Sequence, residues 1–499
     1  MKRELRWYHH LAINSYWLGI NIASGVITPI LLPFLVVLYM PVEQKNTALA
    51  TIRVVSLAVA MLVQPIAGML SDRSTSRFGR RRPFIVAGAL LNTVFLFMIG
   101  ASTLFDRTEP ITAAFGFTTA YAVLLAAIVL LQVSSNIGHG AVQALIPDVV
   151  PENQRGRSSG IKSVLELLPV FLVLFIGPLV DAGRFWLVVG IIVFGFLATM
   201  LTTLLFVKEE PQTEPPTGSL REPILRIVAL TVIFVAITRA AVWFVTFTGT
   251  YLTSRGVDAA ALIALVGIAG LIGMAGSIFL GVYLGARVGI GADAPRQSSF
   301  IWWVINRLMF LAAVGSIQGF AQFFLRDVLN VPNPATMTTV LLAVVALFLM
   351  PSAIFGGLLA DKVGRKRLVG LAGLVAAAGT GLLLVSRSMP LVVVSGSIIG
   401  LGTGAFMATN WALGTDLVPA KDAGKFLGIS NLAGAGAGIV GAGIGGPVAD
   451  TFNLVSPGLG YLVIFAIYGA LFLLSTATLA KVRTERAEPA LFGRAAPVE

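Results

Sequence analysis

The chain has 499 residues, of which 57% are hydrophobic and only 12% are charged. A soluble domain carries about twice that share of charged residues, so the composition excludes a soluble protein and indicates a helical protein that crosses the membrane many times. The absence of cysteine excludes disulfides and thiolate metal sites, and the three histidines, His9, His10 and His139, suggest no ligand cluster. We therefore expect no metal site and no cofactor.

Six long apolar segments fill the first part of the chain and predict six membrane spans. The basic stretch Met1–His10 precedes them without a small-residue cleavage site. We therefore expect the first span to be retained, with its N-terminus in the cytoplasm. The six segments lie near 14–38, 48–70, 83–105, 117–146, 158–182 and 184–207.

A polar linker rich in proline and glutamate follows the sixth span, and eight more apolar segments follow the linker. These segments lie near 224–252, 259–285, 299–325, 336–360, 368–386, 391–416, 425–449 and 456–480. The sequence therefore predicts an all-α polytopic membrane protein of fourteen spans. Its predicted regions are an N-terminal six-helix half (1–207), a cytoplasmic linker (208–223), an inserted two-helix hairpin with its loop (224–298), a C-terminal six-helix half (299–482) and a cytoplasmic tail (483–499).

Lysine and arginine are distributed unevenly between the two sides of this topology. Of the 35 basic residues, 26 fall in the termini and loops of one side, six fall in loops of the other side, and three lie inside spans. Because basic loops stay in the cytoplasm, we expect both termini to be cytoplasmic. This topology also explains the net charge of +12, so we expect no nucleic-acid partner. We also expect a monomer in the lipid bilayer of the plasma membrane.

Internal repeats relate the two halves of the chain. The segment 144–151 matches the segment 412–419 at an offset of 268 residues. Residues Gly177, Pro178 and Asp181 match Gly446, Pro447 and Asp450 at an offset of 269. Duplicated helical halves around a central cavity are typical of secondary transporters.

A dense polar turn between the second and third spans has a shorter second copy between the corresponding spans of the C-terminal half. Basic loops are favoured beside anionic lipid head groups, but that attraction does not require the glycines, the acidic residue or the duplication. A glycine permits close helix approach, and the acidic residue can accept from an arginine or cap a partner helix. We therefore predict a gating motif formed by Gly68, Asp72, Arg73, Gly79, Arg80 and Arg81, with a second copy at Asp361, Gly364 and Arg365.

At this turn the chain resembles the major facilitator superfamily, whose signature turn between helices 2 and 3 recurs in the second half. The longer first copy, residues 71–85, is similar to the loop of the sucrose-symporter and glycoside–pentoside–hexuronide branches. The resemblance implies two six-helix halves that rock about a central cavity. It also implies a glycoside substrate that is moved together with a proton.

Two features depart from the sugar-transporting branches. The run 136–143 lacks the acidic and arginine side chains that such symporters carry in helix 4, which leaves open whether the coupling ion is a proton or sodium. A count of fourteen spans is also similar to the drug/proton antiporters, although residues 161–176 lack the glycine-rich stretch that precedes Gly-Pro there. Efflux of amphipathic compounds by an antiporter is therefore the alternative function.

Ionisable side chains inside spans are costly and are therefore functional candidates. Glu166 is a candidate for proton coupling, and its alternative role is an i,i+4 ion pair with Lys162. Arg307 either contacts the substrate or stabilises the helix bundle. We expect Arg53 to snorkel to the outer interface, and we expect Arg239 of the hairpin to face protein.

Polar stripes on several spans supply the amides and aromatic rings that a sugar site requires. In the first and fourth spans, spacing of i, i+3 and i+7 places the stripe on one helix face. His139 is a second proton-coupling candidate because of its near-neutral reference pKa. The predicted substrate-binding residues are Asn14, Trp17, Asn21, Asn136, His139, Gln143, Asn306, Arg307, Asn410 and Trp411.

These observations favour a secondary active transporter that moves a small polar solute, a glycoside or oligosaccharide, with protons by alternating access. We expect no enzyme, because the sequence shows no paired carboxylates, nucleophile elbow or nucleotide loop. Aligned amides favour sugars, whereas a cavity lined by Phe and Met would favour the lipophilic substrates of the alternative. The hairpin is expected to lie at the periphery of the two halves.

Overall fold

The regular structure of the described chain is helical, which confirms the predicted all-α fold class. The computed structural model describes residues 5–107, 117–207, 209, 211, 218–291, 294–418 and 423–483, with the side chains of 259, 295, 361 and 423–433 left out. Most of the predicted linker and the predicted tail beyond Arg483 lie outside the described residues.

The N-terminal half contains six long helices. They are α1 (Trp7–Tyr39), α2 (Lys45–Asp72), α3 (Arg82–Leu104), α4 (Thr119–Val149), α5 (Glu152–Phe175) and α6 (Phe185–Phe206). The hairpin and the C-terminal half contain eight more. They are α7 (Arg221–Ser254), α8 (Ala260–Ile290), α9 (Ser298–Asp327), α10 (Pro334–Ala360), α11 (Arg365–Val385), α12 (Met389–Asp416), α13 (Ala423–Val455) and α14 (Leu459–Lys481).

Thirteen helices of the described residues are long and apolar enough to cross a membrane. The predicted span 425–449 falls within α13 (Ala423–Val455), whose first side chains lie outside the described residues. The multi-pass architecture is therefore confirmed, and the total of fourteen spans stays a prediction.

Two spans of the N-terminal half contain irregular turns. The α1 helix contains a π-helical turn at Ile27–Leu31, and the α5 span passes into a 3-10 turn at Val173–Phe175. Pro29 lies within the first turn and Pro169 lies four residues before the second, and proline removes a backbone donor from the helical hydrogen-bond ladder. Both irregular segments line the space between the halves.

The hairpin of α7 and α8 packs against α13 and α14 of the C-terminal half and also reaches α2. The ring of Phe234 in α7 packs between Gly281 of α8 and Gly436 of α13. A Cβ at Gly436 would lie 2.7 Å from this ring, and a Cβ at Gly281 would lie 2.6 Å from it. The hairpin is therefore attached to the outside of the bundle. The expectation that Arg239 faces protein is wrong: its side chain is exposed on the outer surface of α7, because the inward face of this helix is occupied by residues such as Phe234 and Thr238.

Candidate functional site

A cavity of about 450 Å³ lies between the two halves of the protein. Helices of both halves line it, and half of the lining residues are Leu, Val, Ile or Phe. Its polar and charged lining residues are Asn21, Ser24, Thr28, Arg53, Glu166, Gln318 and Thr403. An apolar cavity with a few convergent polar groups is the usual form of a small-molecule site.

A smaller cavity of about 130 Å³ lies beside it, within the N-terminal half. Residues of α1, α2, α3 and α4 surround this side cavity. Ser24, Thr28 and Arg53 line both cavities. The remaining polar residues of the side cavity are Ser56, Asn92, Gln132 and Ser135.

Asn21 and Glu166 are the predicted site residues that line the central cavity. Asn21 Nδ2 donates to the carbonyl oxygen of Trp17 at 2.9 Å. The Glu166 carboxylate lies 3.1 Å from Lys162 Nζ, and about a third of each side chain is exposed. Glu166 thus lines the cavity and also forms the i,i+4 ion pair with Lys162.

Trp17 joins α1, α4 and α5 one helical turn away from Asn21. The ring of His139 meets it edge-on with centroids 4.9 Å apart, and Lys162 Nζ lies 3.9 Å from its centroid. Gln143 is exposed, and its Nε2 lies 3.4 Å from Nε2 of His139. A cation on an aromatic face is favourable, so this cluster helps to hold Lys162 beside Glu166.

Asn14 and Asn136 are buried and bond to neighbouring protein groups. Asn14 Nδ2 donates to Ser158 Oγ at 3.0 Å and so connects α1 to α5. Asn136 Nδ2 donates at 2.8 Å to the carbonyl oxygen of Gln132 in its own helix. Neither residue lines the two cavities.

The predicted residues of the C-terminal half form a second polar cluster. Asn410 Nδ2 donates to Asn306 Oδ1 at 2.9 Å, and Asn306 Nδ2 donates to Ser475 Oγ at 2.8 Å. Arg307 donates to Asn410 Oδ1 at 3.3 Å, and its guanidinium lies 5.0 Å from the ring centroid of Trp411. Each half therefore holds a basic side chain over a tryptophan face.

Arg53 does not snorkel to the outer interface as the sequence suggested. Its Nη2 donates to the carbonyl oxygen of Gly315 on α9 at 3.0 Å. A Cβ at Gly319, one turn further along α9, would lie 1.6 Å from Nη1 of Arg53. The paired glycines leave space for the guanidinium, which therefore turns inward between the halves.

On the face opposite to the α2–α3 turn, here called the far face, each half caps a helix of the other half. Asp181, after α5, accepts from the backbone N–H groups of Ala335 and Thr336 at the start of α10, at 3.1 and 2.8 Å. Asp450 of α13 accepts from the N–H groups of Asn46 and Thr47 at the start of α2, at 3.2 and 2.7 Å. Carboxylates at helix N-termini are stabilised by unpaired N–H groups and by the helix dipole.

Glycines of the same repeat permit these contacts. A Cβ at Gly177 would lie 2.7 Å from Cα of Thr336, and a Cβ at Gly446 would lie 2.5 Å from the carbonyl oxygen of Asn46. An ion pair between Lys45 and Asp327 also joins the halves on this face. The repeated Gly-Pro-x-x-Asp element thus forms equivalent contacts in both halves.

Two carboxylates, Asp72 and Asp148, hold the arginines of the first copy of the gating motif. Arg81 is only 3% exposed and pairs with Asp72 of its own loop and, at 2.9 Å, with Asp148 at the end of α4. Arg80 also pairs with Asp148. Arg73 donates to the carbonyl oxygen of Gly218 at 2.6 Å. The ion pairs Arg80–Asp148, Arg81–Asp72 and Arg81–Asp148 therefore lie within the N-terminal half.

Gly79 brings this turn against Glu209 of the linker. Gly79 has a φ of +101°, and a Cβ there would lie 2.4 Å from Oε2 of Glu209. That carboxylate accepts from the N–H groups of Arg81 and Arg82 at 3.0 and 3.1 Å, at the start of α3. Burial raises the pKa of Glu209, the two N–H groups and nearby Arg81 lower it, and the charge of Asp148 raises it further.

The second copy of the motif repeats part of this arrangement. Gly364 has a φ of +96°, and Arg365 pairs with Asp416 at the end of α12 at 2.6 Å. The side chain of Asp361 lies outside the described residues. Gly68 of the first copy packs beside Gly140, where a Cβ would lie 2.9 Å from the Gly68 nitrogen.

Several residues of this site were missed in the sequence. Asp148 and Asp416 pair with the arginines of the two turns. They occupy equivalent positions of the 268-residue repeat, and this equivalence could have indicated their shared role. The Gly315–Gly319 spacing opposite Arg53 marks a groove, but only the structure shows that the two face each other. Gln318, Thr403 and Asn92 carry no pattern that separates them from other polar residues inside spans.

Known proteins resemble this chain at the levels of family, sequence and fold. The model of the Major Facilitator Superfamily matches residues 16–330 and 308–497. The chain is 36% identical over 129 residues to the General alpha-glucoside permease of Schizosaccharomyces pombe, which covers 23% of this chain and 22% of that protein. It is 33% identical over 107 residues to the Sucrose transport protein SUC3 of Arabidopsis thaliana, covering 20% of this chain and 18% of that protein. The matched segments thus span only about a fifth of these relatives.

A solved structure of a POT family transporter in complex with a thioalcohol-conjugated peptide is similar over 94% of each chain. The TM-score is 0.63 at 14% sequence identity, so the likeness concerns the fold. The family predicted from the polar turn is confirmed.

Proposed function

Because the chain belongs to the Major Facilitator Superfamily, we propose that it is a secondary active transporter for a small polar solute, a glycoside or oligosaccharide. The central cavity between the halves is the observation that carries this proposal. Transporters built from two related halves bind their substrate at the interface and expose it to one side at a time. The likeness to an alpha-glucoside permease and to a sucrose transport protein supports a sugar as the solute.

The conformation described here is closed on the far face. Asp181 and Asp450 each hold a helix of the opposite half there, while the ion pairs of Arg80 and Arg81 with Asp148 lie within one half. Since the basic loops lie on the other side, positive-inside topology makes the far face the extracellular one, so this state is closed toward the outside. Alternating access then requires that the two aspartate caps break when the far face opens.

The polar lining fits a sugar better than a purely lipophilic compound. Asn21, Gln318 and Thr403 bring amides and a hydroxyl from both halves into a mostly apolar space. Such groups match the hydroxyls and the apolar faces of a glycoside. The Trp17 and Trp411 clusters lie on the cytoplasmic side of the cavity by the same topology, where they provide aromatic surface on the path out.

Glu166 is the proposed proton carrier, because it is the carboxylate that lines the central cavity in the described residues. Its carboxylate lies 3.1 Å from Lys162 Nζ in this conformation. Protonation releases Lys162 and removes the negative charge before the halves rock. His139, which touches Trp17 but does not line the cavity, is the second candidate.

The remaining assignments follow from the topology. The halves are 1–207 and 299–482, joined through the linker 208–223 and the hairpin region 224–298, with the tail 483–499 at the end. Both termini are cytoplasmic, the protein lies in the plasma membrane, and one monomer forms the whole transport path.

Uptake of labelled sucrose and of labelled maltose into proteoliposomes tests the function. Accumulation under an inward proton gradient, compared with vesicles without a gradient, establishes a proton–glycoside symporter. Equilibration without accumulation identifies facilitated diffusion and contradicts proton coupling. If neither sugar enters, the glycoside assignment is wrong and the efflux alternative is tested with amphipathic cations.

A further inference from the structure

Arg239 lies near the middle of a membrane span and is exposed on the outside of the protein. Along α7 it lies about 20 Å from Arg226 and about 24 Å from Arg255, which mark the charged ends of the span. With an apolar core of about 30 Å between these ends, Arg239 lies more than about 10 Å below either membrane surface. It is therefore too deep for the snorkelling that is open to arginines near helix ends.

The guanidinium of Arg239 has no hydrogen bond, ion pair or aromatic contact within the described part of the chain. Its helix is already packed on the inward face, where Phe234 and Thr238 are buried. Charged side chains inside spans almost always face a bundle interior or a water-filled cavity and are paired there, because contact with lipid is costly. An unpaired guanidinium on the outer face of a span therefore indicates that a partner from outside this chain covers it.

The surroundings of Arg239 have the form of a helix-packing surface. Ala236 and Ala240 are exposed one turn apart on either side of it, and small residues in this spacing let a second helix approach closely. Toward the far face, three exposed aromatic rings continue the surface as a stacked ladder. Their planes lie within 18° of each other, with centroids 5.3 and 6.1 Å apart. We call this surface the docking face, and it comprises Ala236, Arg239, Ala240, Trp243, Phe247 and Tyr251.

The charge of Arg239 restricts what can occupy the docking face. The phosphates of lipids lie at the membrane surfaces, beyond the reach of a guanidinium at this depth. A second copy of this chain is also unsuitable, because Glu166 is the acidic residue that lies well within a predicted span, and it lines the central cavity. A two-fold contact through α7 would moreover bring two Arg239 side chains together. The complementary group is a carboxylate on a membrane helix of another protein.

We propose that the docking face binds the single transmembrane helix of a partner protein that carries an aspartate or glutamate at mid-membrane. Neither the guanidinium nor the carboxylate is stable alone in lipid, whereas charge-assisted hydrogen bonds satisfy both. The alanines allow the two backbones to approach, and the aromatic ladder supplies a flat surface for the remainder of the partner helix. The docking face lies away from both cavities, so binding of the partner does not require transport.

Synthetic transmembrane peptides provide the probe for this surface. The full-length protein with Ser254→Cys, its single cysteine, carries a donor dye at the outer end of α7. It is reconstituted in phosphatidylcholine liposomes with leucine–alanine peptides of about 20 residues that carry an acceptor dye. The peptides are identical except for a central glutamate or a central leucine, and energy transfer is measured against the peptide-to-lipid ratio. We expect the glutamate peptide to bind about tenfold more tightly, and equal affinity of the two peptides overturns the proposal.

Substitutions on α7 assign the preference to Arg239. Arg239→Leu is expected to abolish the advantage of the glutamate peptide, whereas Arg239→Lys keeps the charge and should keep the preference. Ala240→Phe fills the space beside Arg239 and is expected to weaken binding of the glutamate peptide several-fold. Arg255→Gln is the matched control, because it removes an exposed arginine from the surface end of the same helix and should leave the preference unchanged. A preference that persists in Arg239→Leu contradicts the proposal.

The exposed position of these residues keeps the test interpretable. Arg239→Leu places an apolar side chain on the outer face of α7, so its melting temperature should not fall below that of the wild type. Energy transfer between donor-labelled and acceptor-labelled copies of the protein, without peptide and lost in Arg239→Leu, would identify a second copy as the occupant and contradict the proposal. An advantage of the glutamate peptide that disappears in phosphatidylglycerol liposomes would identify an anionic lipid instead. Since no solute is present, a failure of sugar uptake would contradict the proposed function alone.

Discussion

Gly79 determines how the first polar turn enters α3. Its φ of +101° lies in a region that costs other residues about 1–2 kcal/mol. A side chain there would also displace Glu209, which accepts from two N–H groups at the start of α3. We therefore expect Gly79→Ala to lower the melting temperature by several degrees, from a total loss of about 2–4 kcal/mol.

Gly156 supplies the matched control for this substitution. It lies in the helix Arg155–Leu167, and a Cβ there would meet nothing within 4 Å. Gly156→Ala is expected to leave the melting temperature unchanged or slightly raised, since alanine is the better helix former. Equal melting temperatures for the two variants would show that the Gly79 turn rearranges without cost.

Glu166 is expected to be required for coupling but not for binding. Glu166→Gln keeps the shape of the side chain at the cavity and removes its exchangeable proton. We expect gradient-driven uptake to fall to the level without a gradient, whereas exchange of labelled for unlabelled sugar continues. Both activities are measured in the same proteoliposomes.

Glu222→Gln tests whether loss of any i,i+4 ion pair has this effect. Glu222 pairs with Arg226 on α7 in the same sequence spacing, away from the cavity. This variant is expected to accumulate sugar as the wild type does. Full accumulation by Glu166→Gln would contradict the carrier role and would direct the same test to His139.

At the scale of elements, the two Gly-Pro-x-x-Asp segments act as reciprocal caps across the far face. Replacing Asp181 or Asp450 by asparagine keeps an acceptor but removes the charge that favours the helix N-terminus. Because these contacts join opposite halves, their loss is expected to shift the population toward the state that is open on the far face.

The absence of cysteine allows this shift to be measured directly. A cysteine introduced at Ser24 of the cavity is labelled with a membrane-impermeant maleimide added from the far face. We expect labelling to become several-fold faster in Asp181→Asn and Asp450→Asn, because a loss of about 1 kcal/mol changes a population about fivefold.

Asp258→Asn is the control for these caps. Asp258 accepts from the N–H groups of Ala260 and Ala261 at 2.9 and 3.1 Å, within the hairpin and on the far face by the predicted topology. It has the same capping chemistry but does not connect the halves. Equal labelling rates in all three variants would mean that the reciprocal caps do not control access.

The repeated segments also show what the sequence can reveal about an element. Matching glycines and aspartates indicated equivalent positions in two halves, and long apolar runs predicted the spans. The partners could not be predicted, because Asp181 caps a helix that begins about 150 residues later and Asp450 caps one that begins about 400 residues earlier. Those contacts depend on how the halves pack in one conformation.

The polar stripes were only partly informative for the same reason. Asn14 and Asn21 lie on one face of α1, but seven residues span about 10 Å of helix. The structure therefore places Asn21 at the cavity, while Asn14 bonds to Ser158 of α5. Periodicity gives the direction of a side chain around the helix, whereas the depth of the cavity depends on tertiary packing.

At the scale of the whole molecule, family and fold class followed from the polar turn, the repeats and the charge distribution. The family match over both halves confirms them. The position of the Arg53 side chain could not be predicted from the sequence. An arginine near a helix end can place its guanidinium either at the membrane interface or in a polar space inside the protein. The glycines of a helix about 260 residues away decide between them.

The packing of the hairpin makes a prediction for the molecule as a whole. Phe234 joins it to α13 at Gly436, so Phe234→Ala should lower the melting temperature, whereas Phe244→Ala, on the exposed surface of α7, should not. The expected loss is about 1 kcal/mol, because lipid replaces part of the lost contact. Deletion of about residues 212–295 should likewise give a folded but less stable protein that still takes up sugar. Complete loss of folded protein on deletion would instead place the hairpin in the structural core, where it would hold α13 against α2.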